Sequence, residues 1–287
     1  MSFKKSFKKL AVNLAIVASI TVSFASAQNL EKIRMALIPS EDSRAMIKQS
    51  ETLINQLSEN LGVPIESFVA TDYNGVIEAL RAGHIDIAYL GPFSYVKAAE
   101  LADVEAFVVA ETQKAGAVAY HSQIIVPISR TDINTLEDLQ GKDFAFVSPT
   151  STSGYIVPLV GLKEAGIDPK NFFGNVVYTG AHDANILSIK NDRVDGATVA
   201  DRIIDSAVQK GMIGADEYKV IWKSEAIPES PMVWRNALSD SDKARIKEAF
   251  LSIEGLEFGD QGVVNRYVET NDAAYDPVRK AAELSQQ

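Results

Sequence analysis

Four consecutive hydroxyl residues, at positions 150–153, are the part of this sequence best suited to chemistry. They follow a strand-like apolar segment at 143–148 and precede a helical pattern that begins at Gly154. The first N–H groups of a helix have no partner within the helix and carry partial positive charge, so such a junction can bind an anion. One hydroxyl would be explained as a helix N-cap, but four exceed that need. The pattern predicts an oxyanion site formed by Ser151, Thr152 and Ser153.

Residue patterns that serve enzymes are absent from the sequence. There is no cysteine nucleophile, no Gly-x-Ser-x-Gly segment and no glycine-rich phosphate loop of the nucleotide-binding type. The three histidines, at positions 84, 121 and 182, do not have the spacing of a metal site. We therefore expect a binding protein that catalyses no reaction and needs no metal or cofactor. A secreted hydrolase of phosphate esters is the alternative from a different functional class.

The N-terminus predicts export. Lysines at positions 4, 5, 8 and 9 precede an apolar run at 10–24 and the small residues Ala25, Ser26 and Ala27. This order is typical of a secretory signal peptide at 1–27, so we expect a mature chain that starts at Gln28 in the periplasm. Because the sequence contains no cysteine, we expect no lipid anchor.

The net charge of the chain disfavours two classes of anionic partner. The net charge is −10, and the signal peptide carries four lysines and no acidic residue, so the mature chain would have a net charge of −14. Such an acidic surface disfavours nucleic acids and anionic membranes. An anionic ligand must therefore be attracted locally, by hydroxyls and backbone N–H groups in a cleft.

Strand-like and helical patterns alternate along the chain, which predicts an α/β fold. One series runs from a strand at 33–38 to a strand at 104–109, and a second from a strand at 143–148 to a helix at 203–210. Extended patterns at 117–126 and 218–226 separate the series and read as strands that cross between two lobes. We expect a first lobe of residues 28–116 plus 227–287 and a second lobe of residues 117–226.

Several motifs together resemble the phosphonate- and phosphite-binding proteins of ABC importers. They are Ser151-Thr152-Ser153-Gly154, the segment YNGVIEALRAG at 73–83, and the segment IDIAYLGP at 85–92. The resemblance covers nearly the whole mature chain and depends on the order and spacing of the motifs. It implies a type II-like periplasmic binding protein, monomeric, with two crossover strands as the hinge. It also implies partners, namely an ABC permease and an ATPase subunit of the inner membrane.

The resemblance also implies site residues. Tyr73 resembles the aromatic residue of the first lobe, Tyr120 the tyrosine of a crossover strand, and His182 a histidine that donates to an anion oxygen. Asp201 resembles a carboxylate that faces the pocket and accepts a proton of the ligand. A register shift of one residue would instead place Ala200 at the pocket and make Asp201 an ordinary N-cap. The two registers stay open at this point.

The resemblance points to phosphite or a short phosphonate such as methylphosphonate as the ligand. Family members that take aminoalkyl phosphonates resemble one another in a second carboxylate, which falls near Glu229-Ser230 here. If Ser230 holds that position, an ammonium group has no partner. If Glu229 points inward instead, 2-aminoethylphosphonate becomes the favoured ligand. Phosphate and sulfate are the other rival ligands within the binding class.

Overall fold

A computed structural model describes residues 30–112 and 119–286. The predicted signal peptide at 1–27 and the start of the first predicted crossover strand, at 117–118, lie outside the described residues. Within the described ranges, none of the helices combines the length and the apolar character needed to cross a membrane.

The elements follow the predicted alternation closely. The described residues form the strands β1 (Ile33–Leu37), β2 (Ile65–Val69), β3 (Ile87–Tyr89), β4 (Val104–Thr112), β5 (Ala119–Tyr120), β6 (Ser122–Pro127), β7 (Phe144–Phe146), β8 (Val176–Tyr178), β9 (Gly196–Ala200), β10 (Tyr218–Lys223), β11 (Ile227–Pro228), β12 (Pro231–Arg235), β13 (Glu254–Glu257) and β14 (Val263–Glu269). The α-helices are α1 (Ser43–Leu61), α2 (Tyr73–Arg81), α3 (Pro92–Leu101), α4 (Val157–Glu164), α5 (His182–Lys190), α6 (Asp201–Gln209), α7 (Asp240–Leu251) and α8 (Asp276–Gln286).

The strands are divided between two main sheets. The first has seven strands in the order β13-β14-β4-β12-β3-β1-β2, and the second has five in the order β10-β6-β9-β7-β8. We call the first sheet with its helices the first lobe and the second sheet with its helices the second lobe. In the second lobe β8, β7 and β9 are parallel, so their carboxyl ends meet at one edge of the sheet. The segments that follow these three strands must therefore lie side by side.

A small antiparallel pair, β5 with β11, joins the two lobes. Tyr120 pairs with Ile227, and Ala119 pairs with Pro228. The chain thus enters the second lobe through β5 and leaves it through β11, so the architecture agrees with the predicted α/β fold with two crossover strands. The position predicted for the second crossover, 218–226, was wrong, because β10 in that segment pairs with β6 inside the second sheet and the crossover is β11. The predicted domain boundaries at 116/117 and 226/227 stay predictions, because the first of them lies outside the described residues.

Three strands of the first sheet were not predicted. β12 is short and begins at a proline, but it pairs antiparallel with both β3 and β4 and so lies inside the sheet. β13 and β14 form an antiparallel hairpin that extends the sheet from β4. Four charged residues and mainly exposed or half-buried side chains in this hairpin hide the period-two pattern that identifies a strand. The hairpin matters for function because the turn between its strands reaches the interlobe cleft.

Candidate functional site

The hydroxyl residues lie where predicted, between β7 and α4, in a turn with an unusual backbone. Residues Thr152–Ile156 form one turn of π-helix, in which the Ile156 N–H donates to the carbonyl of Ser151 at 3.2 Å. The Ser151 side chain caps this turn by accepting from the N–H of Gly154 at 3.1 Å. The side chains of Ser151, Thr152 and Ser153 are buried. Buried hydroxyls in a π-turn, a feature frequent at functional sites, are consistent with a binding loop.

The hydroxyl loop contacts the first turn of α3 in the first lobe. The Phe93 N–H donates to Thr152 Oγ1 at 2.8 Å, and Ser94 Oγ donates to the Thr150 carbonyl at 2.9 Å. Each hydroxyl has a single proton to donate, and the oxygens of Ser151 and Thr152 already accept a backbone N–H. Their O–H groups are therefore left to act as donors. Two donors without formal charge suit an oxyanion.

Gly154 fixes the shape of this loop. A Cβ at this position would lie 2.4 Å from Val147 Cβ and 2.7 Å from Ser151 Oγ, well inside van der Waals contact. We expect Gly154→Ala to displace Ser151, to abolish ligand binding and to lower the free energy of unfolding by about 1–3 kcal/mol, the usual cost of overpacking. Urea unfolding and calorimetry measure the two effects. Gly75→Ala is the control, since its new Cβ would meet its nearest neighbour at 3.7 Å; equal behaviour of the two variants would contradict the prediction.

Two tyrosines reach the hydroxyl loop from other elements. Tyr73, the first residue of α2, is buried, and its phenol is in hydrogen-bonding reach of Ser151. Tyr120, in β5, is buried and reaches the side chains of Ser153 and Thr152. Burial raises the pKa of Tyr73 and raises that of Tyr120 to about 12, so both phenols keep their protons at neutral pH. The structure thus brings both predicted tyrosines to the predicted loop.

His182 begins α5, next to the hydroxyl loop, because it follows the neighbouring strand β8. Its backbone N–H donates to the Ser40 carbonyl of the first lobe at 2.8 Å, and its Nδ1 accepts from the Ala200 N–H at 3.3 Å. Burial, together with the charge of Arg202, lowers its pKa to about 3. The imidazole is therefore neutral at physiological pH. With Nδ1 used as an acceptor, its proton resides on Nε2, which is another uncharged donor.

The structure directs Asp201 away from this group of donors. Its carboxylate accepts from the His121 N–H at 3.0 Å, lies 3.0 Å from His121 Nδ1, and lies 3.6 Å from Lys223 Nζ. Asp201 is also the first residue of α6, and the N-cap position belongs to Ala200. Asp201 therefore neither faces the hydroxyl loop nor occupies the N-cap position of α6.

The residue that occupies the cleft at this point is Arg202, which the sequence analysis missed. Its side chain is only 13% exposed, and its guanidinium lies over the ring of Tyr120, with Cζ 4.2 Å from the ring centroid. A signal existed: Arg202 follows the carboxyl end of β9, and arginine is a common anion ligand.

Buried acidic groups surround Arg202. Nη2 donates to Asp260 Oδ2 at 3.1 Å, and Nη1 lies 3.5 Å from Glu229 Oε1. Asp260, in the turn between β13 and β14, also accepts from the Tyr89 hydroxyl at 2.6 Å. Sequence reasoning missed Asp260 together with its hairpin. Glu229 does point inward: it is 4% exposed, and its Oε1 accepts from the Ser230 N–H at 2.8 Å.

Comparison with known proteins identifies the family of this chain. The family model described as "ABC transporter, phosphonate, periplasmic substrate-binding protein" matches residues 35–276. The chain is 31% identical to the phosphonates-binding periplasmic protein of Escherichia coli, over 97% of this chain and 84% of that protein. It is 30% identical to the phosphate-import protein PhnD of Mycolicibacterium smegmatis, over 89% of this chain and 86% of that protein.

A solved structure agrees with these relatives. The binding protein component of an ABC phosphonate transporter from Pseudomonas aeruginosa is similar to this chain with a TM-score of 0.81 and 28% sequence identity, over 89% of this chain and 86% of that chain. That likeness confirms the predicted two-lobed fold. The chain therefore belongs to the phosphonate family of periplasmic substrate-binding proteins of ABC transporters.

Proposed function

We propose that this protein captures phosphite or a short phosphonate such as methylphosphonate in the cleft between its lobes and delivers it to an ABC permease driven by an ATPase subunit. It does so as a monomer in the periplasm, after removal of the signal peptide at 1–27, and it catalyses no reaction. The proposed ligand contacts are Tyr73, Tyr120, Ser151, Thr152, Ser153 and His182, and Arg202 is added to them. Asp201, which pairs with His121 and Lys223, is no longer among them.

One observation carries this proposal: each of the buried donors of the second lobe is held in place by a backbone N–H that it accepts. Ser151 Oγ accepts from Gly154, Thr152 Oγ1 accepts from Phe93, and His182 Nδ1 accepts from Ala200. Each of these three side chains also has one proton that it can donate to a ligand. A small cleft lined by such donors favours an ionised tetrahedral oxyanion, because each oxygen can accept several hydrogen bonds.

2-Aminoethylphosphonate is the alternative ligand, and the position of Glu229 bears on it. Glu229 points inward, the orientation that would favour an ammonium group, but its carboxylate faces the Arg202 guanidinium at 3.5 Å. An ammonium would have to compete with a cation that is already in place. The arrangement therefore supports a ligand without a positive charge. Phosphate belongs in any ligand panel because one relative is named for its import.

A phosphate-ester hydrolase is the more remote alternative. A serine nucleophile needs a base that can take its proton. Ser151 serves as a helix cap, and the basic nitrogen Nδ1 of His182 already accepts the Ala200 N–H. Steady release of product from any phosphate ester would contradict the transport function, so turnover should be measured beside binding.

The test of the site is calorimetry of residues 28–287 with phosphite, methylphosphonate, 2-aminoethylphosphonate, phosphate and sulfate. We expect one ligand per chain, with phosphite or methylphosphonate binding most tightly. Ser151→Ala and Thr152→Ala should each weaken that binding by about 1–3 kcal/mol, because each variant leaves an anion oxygen unpaired in a closed cleft. Ser129→Ala, an exposed serine bonded to Asp192, is the control. Unchanged affinity in both loop variants would remove the loop from the site.

A further inference from the structure

We propose that Arg202 determines the ligand class of the cleft: its guanidinium occupies the place of a cationic substituent and offers hydrogen bonds to an oxygen of the anion. This inference rests on the proposed function, since it concerns the same cleft. It goes further by predicting that one residue decides between phosphorus oxyanions with an uncharged substituent and those that carry an ammonium group.

Two nitrogens of Arg202 are free to donate. Nε and Nη1 are buried and have no hydrogen-bond partner among the described residues. Nη1 lies near Glu229 but does not form a hydrogen bond with it. Buried N–H groups without an acceptor are costly, and guanidinium groups without one are especially so. The guanidinium stacks on Tyr120, whose side chain reaches Ser153, so Arg202 and the hydroxyl loop contact the same tyrosine.

Three polar groups hold the guanidinium of Arg202 in place. Nη2 lies 3.1 Å from Asp260 Oδ2 and 3.4 Å from both the Tyr89 hydroxyl and Ser230 Oγ. These partners fix the plane of the guanidinium from the first lobe and from the segment between β11 and β12. The two remaining nitrogens therefore keep a defined orientation, so the cation is preorganised and the ligand need not order it.

Arg202 also balances the charge of two buried carboxylates. Asp260 is 3% exposed and Glu229 is 4% exposed, and one guanidinium faces both carboxylates. Without that cation the two acidic groups would stand uncompensated beside the anion site, where they would repel an oxyanion and attract an ammonium group. Arginine keeps its charge at every physiological pH, so this balance does not change with conditions.

The test is the ligand preference of Arg202→Met, measured by calorimetry at about pH 8. The wild-type protein should bind methylphosphonate or phosphite at least about 30-fold more tightly than 2-aminoethylphosphonate. In Arg202→Met the anions without an ammonium group should lose at least about 30-fold in affinity, the usual effect of truncating one partner of a buried charge pair. 2-Aminoethylphosphonate should lose less or gain, so that the order of preference reverses.

Two further variants keep the test decisive. Arg202→Lys retains the charge but lacks Nε and Nη1, so it should bind all anions more weakly without any gain for 2-aminoethylphosphonate. It also provides a second variant in case Arg202→Met fails to fold, which thermal unfolding would reveal. Arg81→Met, on the exposed end of α2, is the matched control and should bind as the wild type does.

The possible failures are distinguishable. A wild-type protein that binds none of these ligands would overturn the proposed function. A wild-type protein that binds them, with an Arg202→Met variant whose ratio of affinities for methylphosphonate and 2-aminoethylphosphonate stays within about threefold of the wild-type ratio, would overturn this inference alone. An equal loss for every ligand would show that Arg202 only supports the structure of the cleft.

Discussion

Asp86→Ala is expected to lower the free energy of unfolding by about 3–5 kcal/mol, the cost of removing one partner from a buried charge cluster. Asp86 immediately precedes β3 and is 2% exposed. Its Oδ2 accepts from the Arg34 N–H at 2.9 Å and from Arg34 Nε at 3.0 Å, and its Oδ1 accepts from Nη2 of the same side chain and from Arg235 Nε, both at 2.9 Å. One carboxylate thus ties β1 to β12 across β3, and its removal leaves two guanidinium groups without their acceptor.

Urea unfolding at neutral pH measures this loss. Asp132→Ala is the control, because Asp132 is 54% exposed and its pairs with Arg130 and Lys142 are screened by water. Burial tends to raise the pKa of Asp86, but the hydrogen bonds from Arg34 and Arg235 outweigh burial and lower it. A lowered pKa means that the stabilisation is present above the unfolded value of 3.8 and is lost as pH falls through the folded pKa. A loss below about 1 kcal/mol in Asp86→Ala would contradict the assigned role.

Glu41→Gln and His182→Gln are expected to change the pH dependence of stability in opposite directions. Burial and the nearby Asp260 raise the pKa of Glu41 from 4.5 to about 7, so the folded protein binds a proton there more readily than the unfolded chain. Burial and Arg202 lower the pKa of His182 from 6.5 to about 3, so there the unfolded chain binds the proton more readily. On acidification Glu41 therefore adds stability, through pH 7 to 4.5, and His182 removes it, from pH 6.5 downward.

The magnitudes follow from about 1.4 kcal/mol for each pH unit between the folded and unfolded pKa values. From pH 8 to pH 5, Glu41 contributes a gain of about 3 kcal/mol and His182 a loss of about 2 kcal/mol, so the two nearly cancel in the wild type. Relative to the wild type, Glu41→Gln should therefore lose stability on acidification, and His182→Gln should gain it. Urea unfolding of the ligand-free variants at both pH values measures these slopes. If both variants changed the pH dependence of the free energy of unfolding in the same direction relative to the wild type, the assigned protonation states would be contradicted.

The fold was predictable because its periodic segments are long and end at clear signals. α1 shows this well: Asp42 caps its start, and Gly62, with a φ of 69°, ends it. α3 begins at a proline, the residue that favours the first position of a helix. β12, β13 and β14 were missed, because their place in the sheet depends on pairing with β3 and β4 and not on a pattern of their own.

Only some residues of the candidate site were predictable from the sequence. The hydroxyl loop and His182 follow neighbouring strands of the second sheet, and Tyr73 follows β2 of the first sheet, so the strand ends that carry them could be identified from the pattern. Asp260 could not be found in this way, since it lies in a turn whose position depends on an unpredicted hairpin. Arg202 was missed for another reason: one step of register at the start of a helix turns a neighbouring side chain by about 100°. The predicted residue, Asp201, and the residue found in the cleft, Arg202, differ by that one step.

The contact between the hydroxyl loop and α3 bears on how long a ligand stays bound. Thr152 accepts the N–H of Phe93, and Ser94 donates to the carbonyl of Thr150, so the loop that would hold the anion also fastens one lobe to the other. An anion enclosed there can depart only after these bonds break. Its residence time is then set by the opening of the lobes, and ligands that use the same donors would differ mainly in their dissociation rates.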